Sequence, residues 1–210
     1  MQCLVTGGSG FLGSHVADEL IKKNFNVFIF DKKKSKWLQK KQKMIIGDLK
    51  DLKKIEPYIK KSDYVFHFAG LADLNEAFNK PSETALDNIL ATINLLKMCK
   101  KYKVKRFIFA SSIYVLSDQG GFYRVSKKAA EEYIEEFSKI LKLKYTILRY
   151  GTLYGPRSNN KNGVRKIILN ALKNRKVTYH GSAKSERQYI NVKDAATITS
   201  QILNKKYENK

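Results

Sequence analysis

The sequence predicts an α/β fold, a doubly wound parallel sheet covered by helices, on three observations. Short apolar runs alternate with amphipathic stretches along most of the chain, a glycine-rich turn follows the first run, and an acidic residue closes the second. Alternation of this kind means parallel βαβ units, because parallel neighbours need a crossover long enough to hold a helix.

The first strand is Cys3–Val5, which runs into Thr6-Gly7-Gly8-Ser9-Gly10-Phe11-Leu12-Gly13 and a helix over Phe11–Lys22. Gly7, Gly10 and Gly13 stand where the chain must turn tightly off a strand, let backbone N–H groups approach a pyrophosphate, and pack the helix on the sheet. A second strand, Asn26–Phe30, ends at Asp31, 18 residues past Gly13. Strand, glycine turn, helix, strand and acid in that order predict a dinucleotide site. Further buried strands read at Met44–Ile46, Tyr64–Phe68, Phe107–Ala110 and Thr146–Leu148, with helices at Leu52–Lys60, Ser82–Lys101 and Tyr123–Lys142; Pro57 and Pro81 fall near helix ends. A boundary falls near Gly155-Pro156-Arg157. Beyond it come a polar loop over 158–163, a helix at Val164–Lys173, a short strand and a helix at Lys193–Leu203. This is too little for a self-standing domain. Residues 1–155 are therefore expected to form the dinucleotide-binding domain and 156–210 a small lobe on it.

Composition narrows the function classes. A net charge of +22 would ordinarily point to nucleic acid, but the cations are 34 Lys against 7 Arg, and nucleic-acid sites favour the bidentate fork of arginine. Nucleic acid is not the expected partner. The run Lys32-Lys33-Lys34-Ser35-Lys36 reads as a solvated loop, or as positive potential beside the adenosine end of the cofactor site. Cys3 and Cys99 lack metal-ligand spacing and read as reduced core residues. No metal is expected. The chain holds no stretch of eighteen apolar residues, so no membrane association is expected, and with the cysteines this predicts a cytoplasmic protein.

Tyr123 and Lys127 lie four apart on one helix face, just after the strand that ends toward Ser111 and Ser112. Such a pair is often a mere surface pair. Placed at the carboxyl end of a strand, where open α/β sheets bind ligands, it gains a mechanism: an adjacent ammonium favours the phenolate, and the serines can hydrogen-bond a substrate oxygen.

These residues, with Gly47-Asp48-Leu49, His67-Phe68-Ala69-Gly70-Leu71, Asn88, Arg149-Tyr150 and Tyr154-Gly155-Pro156-Arg157, together resemble the extended short-chain dehydrogenase/reductase superfamily. The resemblance runs through almost the whole chain and is greatest to its NAD-dependent epimerase/dehydratase branch, of UDP-glucose 4-epimerase type. It implies a Rossmann-like domain with a shortened C-terminal substrate lobe. It also implies NAD as cofactor, with Gly7, Gly10, Phe11 and Leu12 at the pyrophosphate and Asp31 at the adenosine ribose. Asp48 and Leu49 would flank adenine, and Lys32, Phe68, Ala69, Gly70, Asn88 and Tyr150 would join the cofactor site. Ser112, Tyr123 and Lys127 would be catalytic, with Ser112, Tyr123 and Arg187 facing the substrate, a UDP- or dTDP-sugar, in a homodimer. Asp31 favours NAD over NADP because a carboxylate accepts from a free 2′-OH and repels a 2′-phosphate; the neighbouring lysines could offset that repulsion. Ile113-Tyr114 stand after Ser112 where the branch's dehydratases carry an acidic pair, which disfavours water elimination. A reductase or dehydrogenase with net cofactor turnover, and a non-catalytic dinucleotide sensor or nucleic-acid binder, are the alternative readings.

Overall fold

The computed structural model describes residues 1–177 and 187–210. Its strands are β1 (Gln2–Thr6), β2 (Asn26–Asp31), β3 (Gln42–Ile46), β4 (Tyr64–His67), β5 (Arg106–Ser112), β6 (Tyr145–Tyr150), β7 (Thr152–Tyr154) and β8 (Tyr189–Asn191). Its α-helices are α1 (Phe11–Lys22), α2 (Leu52–Lys60), α3 (Leu74–Asn79), α4 (Pro81–Ala85), α5 (Ala91–Lys101), α6 (Gly121–Leu141), α7 (Gly163–Asn174) and α8 (Val192–Gln201).

Six strands form one all-parallel sheet in the order β3-β2-β1-β4-β5-β6, and β7 and β8 form a separate parallel pair. The order reverses between β1 and β4, so the connections leave in opposite directions there and open a crevice at the carboxyl ends. Both faces of the sheet are covered, as its unbroken apolar strands require. Leu4, Phe30, Val65, Phe107 and Phe109 pack on one side with Ile55, Leu95, Leu96 and Ile134 from the helices. Val5, Ile29, Phe66 and Ile108 pack on the other with Val16, Leu20 and Ala196. Thus α8, far along the chain, packs against α1 in the same layer. The last residues follow the free edge of β6, where Ile147 N donates to Lys210 O (2.7 Å) and Asn209 N to Tyr145 O (2.8 Å).

The helix expected over Ser82–Lys101 is present as one continuous helical run, Pro81–Lys101, although it is not a regular α-helix throughout. Helical structure starts earlier, at Leu74, breaks at Lys80 (φ −134°), restarts with Pro81 in its first turn, and passes through a π-helical segment, Leu86–Leu90, before α5. Asp73 caps α3 by accepting from Glu76 N (2.9 Å), and proline is well suited to a first helical turn, where no N–H is needed. The wider π turn inserts one residue of register, and it does so where Asp87 and Asn88 meet the site.

Candidate active site

Thr6, Asp31, Ile46, His67, Ser112 and Tyr150 are the last residues of the six sheet strands, and around these ends lies a cavity of about 700 Å³. It is lined by every residue expected from the sequence except Asn88.

The glycine turn forms one wall. Gly7 adopts φ +72°, and a Cβ there would stand 2.6 Å from Ala69 N and 2.8 Å from the Phe68 carbonyl carbon. A Cβ on Gly13 would collide with Gly7 O, whereas one on Gly10 would meet that oxygen at 3.1 Å. The backbone is thus packed closely at the N-terminus of α1, and the open side of the turn faces the cavity with helix N–H groups available to a diphosphate. Asp31 is held by two backbone donors, Ser9 N on Oδ2 and Lys33 N on Oδ1, each 3.0 Å. These bonds orient the carboxylate and leave lone pairs for a ribose diol. The cradle and its oriented acid fit a dinucleotide.

Lys32 reaches away from Asp31 to Asp48 (3.3 Å) and Asp87 (3.5 Å), and Lys50 also pairs with Asp87 (2.9 Å). Salt-bridged there, the Lys32 ammonium is partly neutralised. Asp87, in the π segment, lines the cavity and was missed from the sequence.

Asn88 departs from the expectation that it joins the cofactor wall. It is buried and spends its carboxamide on structure: Leu71 N donates to its Oδ1 (2.7 Å), and its Nδ2 donates to Leu71 O (3.0 Å) and Ser126 Oγ (2.9 Å). It acts as a positioning residue for the Gly70-Leu71 turn. Behind it runs a buried polar chain: Thr92 Oγ1 donates to Asn88 O (2.7 Å), His67 Nε2 lies 3.0 Å from Thr92 Oγ1, and Thr6 Oγ1 lies 2.7 Å from His67 Nδ1. With the threonine proton committed to Asn88 O, His67 Nε2 carries the hydrogen and Nδ1 accepts from Thr6. Burial lowers the His67 pKa to about 3, with the Lys127 charge contributing, so the ring is neutral at physiological pH.

Ser112, Tyr123 and Lys127 line the same cavity. Lys127 is buried, donates from Nζ to Ala110 O (2.8 Å), and stands 5.9 Å from the Tyr123 ring centre. Burial lowers its pKa to about 8, opposed by Glu131 one turn on. Lys127 alone does not lower the Tyr123 phenol. Burial raises its pKa to about 12, although the neighbouring Ser112 hydroxyl favours the phenolate. A shift from about 12 to neutrality asks for roughly 7 kcal/mol, and one ammonium at about 6 Å supplies about 3 kcal/mol at an effective dielectric of 20. Desolvation wins until further positive charge enters the cleft. Ser112 Oγ accepts weakly from Tyr114 N (3.3 Å), and the buried Ser111 Oγ has no partner.

Tyr150 lines the cavity with its ring, but its hydroxyl lies 2.6 Å from Thr199 Oγ1, which itself donates to Ala195 O (2.6 Å). The phenol therefore donates to Thr199 and locks α8 to the end of β6. Arg187, Lys161 and Asn162 line the outer part of the cavity. Glu186, which precedes Arg187 in its motif, lies outside the described residues. The loop after β7 is clamped to α1: Pro156 O is 3.0 Å from His15 Nε2, and Arg157 pairs with the buried Asp18 (2.7 Å) while stacking on Trp37. Among the described residues no group of three or more His, Cys, Asp or Glu side chains could hold a metal, and no helix is long and apolar enough to cross a membrane.

Comparison with known proteins matches residues 3–210 to the model of the NAD dependent epimerase/dehydratase family. Among solved structures, the chain is similar to a UDP-glucose 4-epimerase of Thermotoga maritima with UDP-glucose (TM-score 0.89, 30% identity, 98% of this chain and 74% of that one). It is also similar to a UDP-glucose 4-epimerase of Thermus thermophilus in complex with NAD (TM-score 0.87, 28% identity, 97% and 75%). A dTDP-D-glucose 4,6-dehydratase of Dictyostelium discoideum is 30% identical over 96% of this chain and 55% of its own length.

Proposed function

The chain belongs to the NAD-dependent epimerase/dehydratase family of enzymes, and from that premise we propose that it is a nucleotide-sugar 4-epimerase acting on a UDP- or dTDP-sugar. One observation carries this reading: Ser112, Tyr123, Lys127 and Arg187 line the same cavity as Gly7, Gly10 and Asp31.

NAD is the cofactor of the family, and when bound it supplies a reversible hydride acceptor. Gly7, Gly10, Phe11 and Leu12 would hold its diphosphate and Asp31 its adenosine ribose, with Lys32, Asp48 and Leu49 bordering the adenine end and Phe68, Ala69, Gly70 and Tyr150 walling the cleft. This chain's own chemistry is proton handling and orientation. Tyr123 takes the proton of the sugar hydroxyl, Ser112 hydrogen-bonds that oxygen, and Lys127 supports the phenolate from below. Arg187 pairs with the nucleotide diphosphate. Ile113 and Tyr114 line the cavity beside Ser112 where elimination of water would call for an acid, which supports epimerisation over dehydration. Residues 1–155 would carry the cofactor and 156–210 part of the sugar site.

Leu86, Leu90, Val125, Tyr133 and Ile140 are exposed on the π segment and on α6, which pack together; this supports a homodimer through these helices. The buried thiols Cys3 and Cys99 fit a reducing compartment such as the cytoplasm.

The test is incubation of NAD-loaded protein with UDP- and dTDP-hexoses, with epimers separated chromatographically and absorbance at 340 nm followed. Epimer formation without net NADH is expected, and Tyr123→Phe should lose about 10²- to 10⁴-fold in rate while still binding NAD. Stoichiometric NADH would replace the epimerase reading with a dehydrogenase, and full activity in Tyr123→Phe would remove the assigned base.

A further inference from the structure

At the opposite end of the sheet, where β4, β5 and β6 begin, a second cavity of about 500 Å³ is bounded by the C-terminal ends of α5 and α6 and by residues 203–208. Seven of its thirteen lining residues are Lys or Arg, against 41 of 210 in the whole chain. Among the described residues the active-site cavity shows no such enrichment.

Much of this charge is unanswered. Lys105 pairs with Asp63 (2.8 Å) and Lys144 with Glu208 (2.7 Å). Among the described residues, Lys100, Lys103, Lys142 and Lys205 have no carboxylate within salt-bridge distance. Arg106 is buried in the wall; its Nη1 donates to Ile202 O (2.7 Å) and Asn204 O (3.2 Å), its Nη2 lies 3.8 Å from Glu208 Oε1, and among the described residues its Nε has no partner. Each helix C-terminus adds about half a negative charge, so α5 and α6 together with Asp63 and Glu208 still leave roughly four positive charges uncompensated. Lys103 and Lys142 also adopt left-handed backbone conformations (φ 55° and 57°) that glycine or asparagine takes more readily, and here both positions carry cations.

We propose that this cavity is a second ligand site, for a compact multivalent phosphate anion such as an oligophosphate chain. Its concave shape suits a small ligand rather than a nucleic-acid rod. Phosphates drawn among Lys100, Lys103, Lys142 and Lys205 relieve mutual repulsion that the free protein carries. The anion also ties the 203–208 segment to the starts of β5 and β6.

The test is calorimetric titration of the protein, with NAD saturating, using inorganic tripolyphosphate. One-to-one binding insensitive to NAD is expected, weakened about tenfold or more in K100Q/K142Q/K205Q, a loss of about 1.4 kcal/mol or more. K36Q/K40Q/K41Q, which removes equal charge from the exposed loop before β3, should bind as the parent does. Duplex DNA of equal phosphate concentration should compete weakly. Absence of saturable binding, equal weakening in both triple variants, or competition by NAD would each overturn the site, and tighter binding of DNA than of tripolyphosphate would replace the small ligand with nucleic acid.

Discussion

Alanine substitution at the three motif glycines separates backbone crowding from general helix preference. In Gly13→Ala the new Cβ meets Gly7 O, Gly7 C at 2.9 Å and Gly8 Cα at 3.0 Å, all of them backbone atoms that no rotamer change can move. Position 13 lies inside α1, where alanine ordinarily gains about 1 kcal/mol over glycine. Overpacking against backbone that cannot yield costs at the upper end of about 1–3 kcal/mol, so after the helix gain the variant should lose about 2 kcal/mol, or roughly 4–8 °C in Tm for a chain of this size. Gly7→Ala adds left-handed strain of about 1–2 kcal/mol to contacts with Ala69 N and the Phe68 carbonyl carbon, and should be worse. Gly10→Ala, with its one contact at 3.1 Å, should come within about 0.5 kcal/mol of the parent in stability. Urea unfolding of each variant, followed by NAD titration of the folded ones, gives the order: Gly10→Ala most stable, Gly13→Ala next, Gly7→Ala least. A Gly13→Ala protein as stable as the parent and binding NAD equally well would refute the close packing on which the cradle rests.

Lys127 has a folded pKa of about 8 against an ordinary 10.5, so the unfolded chain binds more protons between those values, and its contribution makes stability rise with pH across that window. Lys127→Met should remove an increment of about 3 kcal/mol over that range in urea melts compared with the parent, and an unchanged slope would show that the ammonium is not desolvated. Asn88→Ala leaves the part-buried Leu71 N–H without its acceptor and should cost about 1–3 kcal/mol by thermal or urea unfolding and weaken NAD binding, whereas Tyr123→Phe should not; a neutral Asn88→Ala would remove its positioning role.

The sheet was legible because its strands, the central ones above all, hold apolar runs punctuated by turn residues, and because the Gly7–Asp31 spacing places β1, α1 and β2 together. The helix over Ser82–Lys101 was legible from its apolar periodicity and from Pro81 at its start, whereas the six-residue α3 ahead of it, marked only by the Asp73-x-x-Glu76 capping spacing, is too short for a periodic pattern. The π turn was not legible, since an extra residue of register leaves no compositional trace. Asn88, Tyr150 and Tyr123 show a further limit. A sequence pattern can bring a polar residue to a cleft, but whether its hydroxyl or amide is already spent on Leu71 or Thr199, or its charge penalised by burial, depends on neighbours remote in the chain.

The strip of residues that follows β6 has a bearing on how the protein behaves in concentrated solution. A terminal strand of a sheet normally displays a row of unused donors and acceptors on which another molecule's strand can assemble. Here Ile147 N and Tyr145 O are taken by Lys210 O and Asn209 N, and Thr146 Oγ1 by Tyr207 O. The side most open to intermolecular strand addition is thereby blunted by the chain itself, and β3 at the other side carries Lys43 beside the exposed Lys40 and Lys41, whose charge discourages growth of fibrils from that edge.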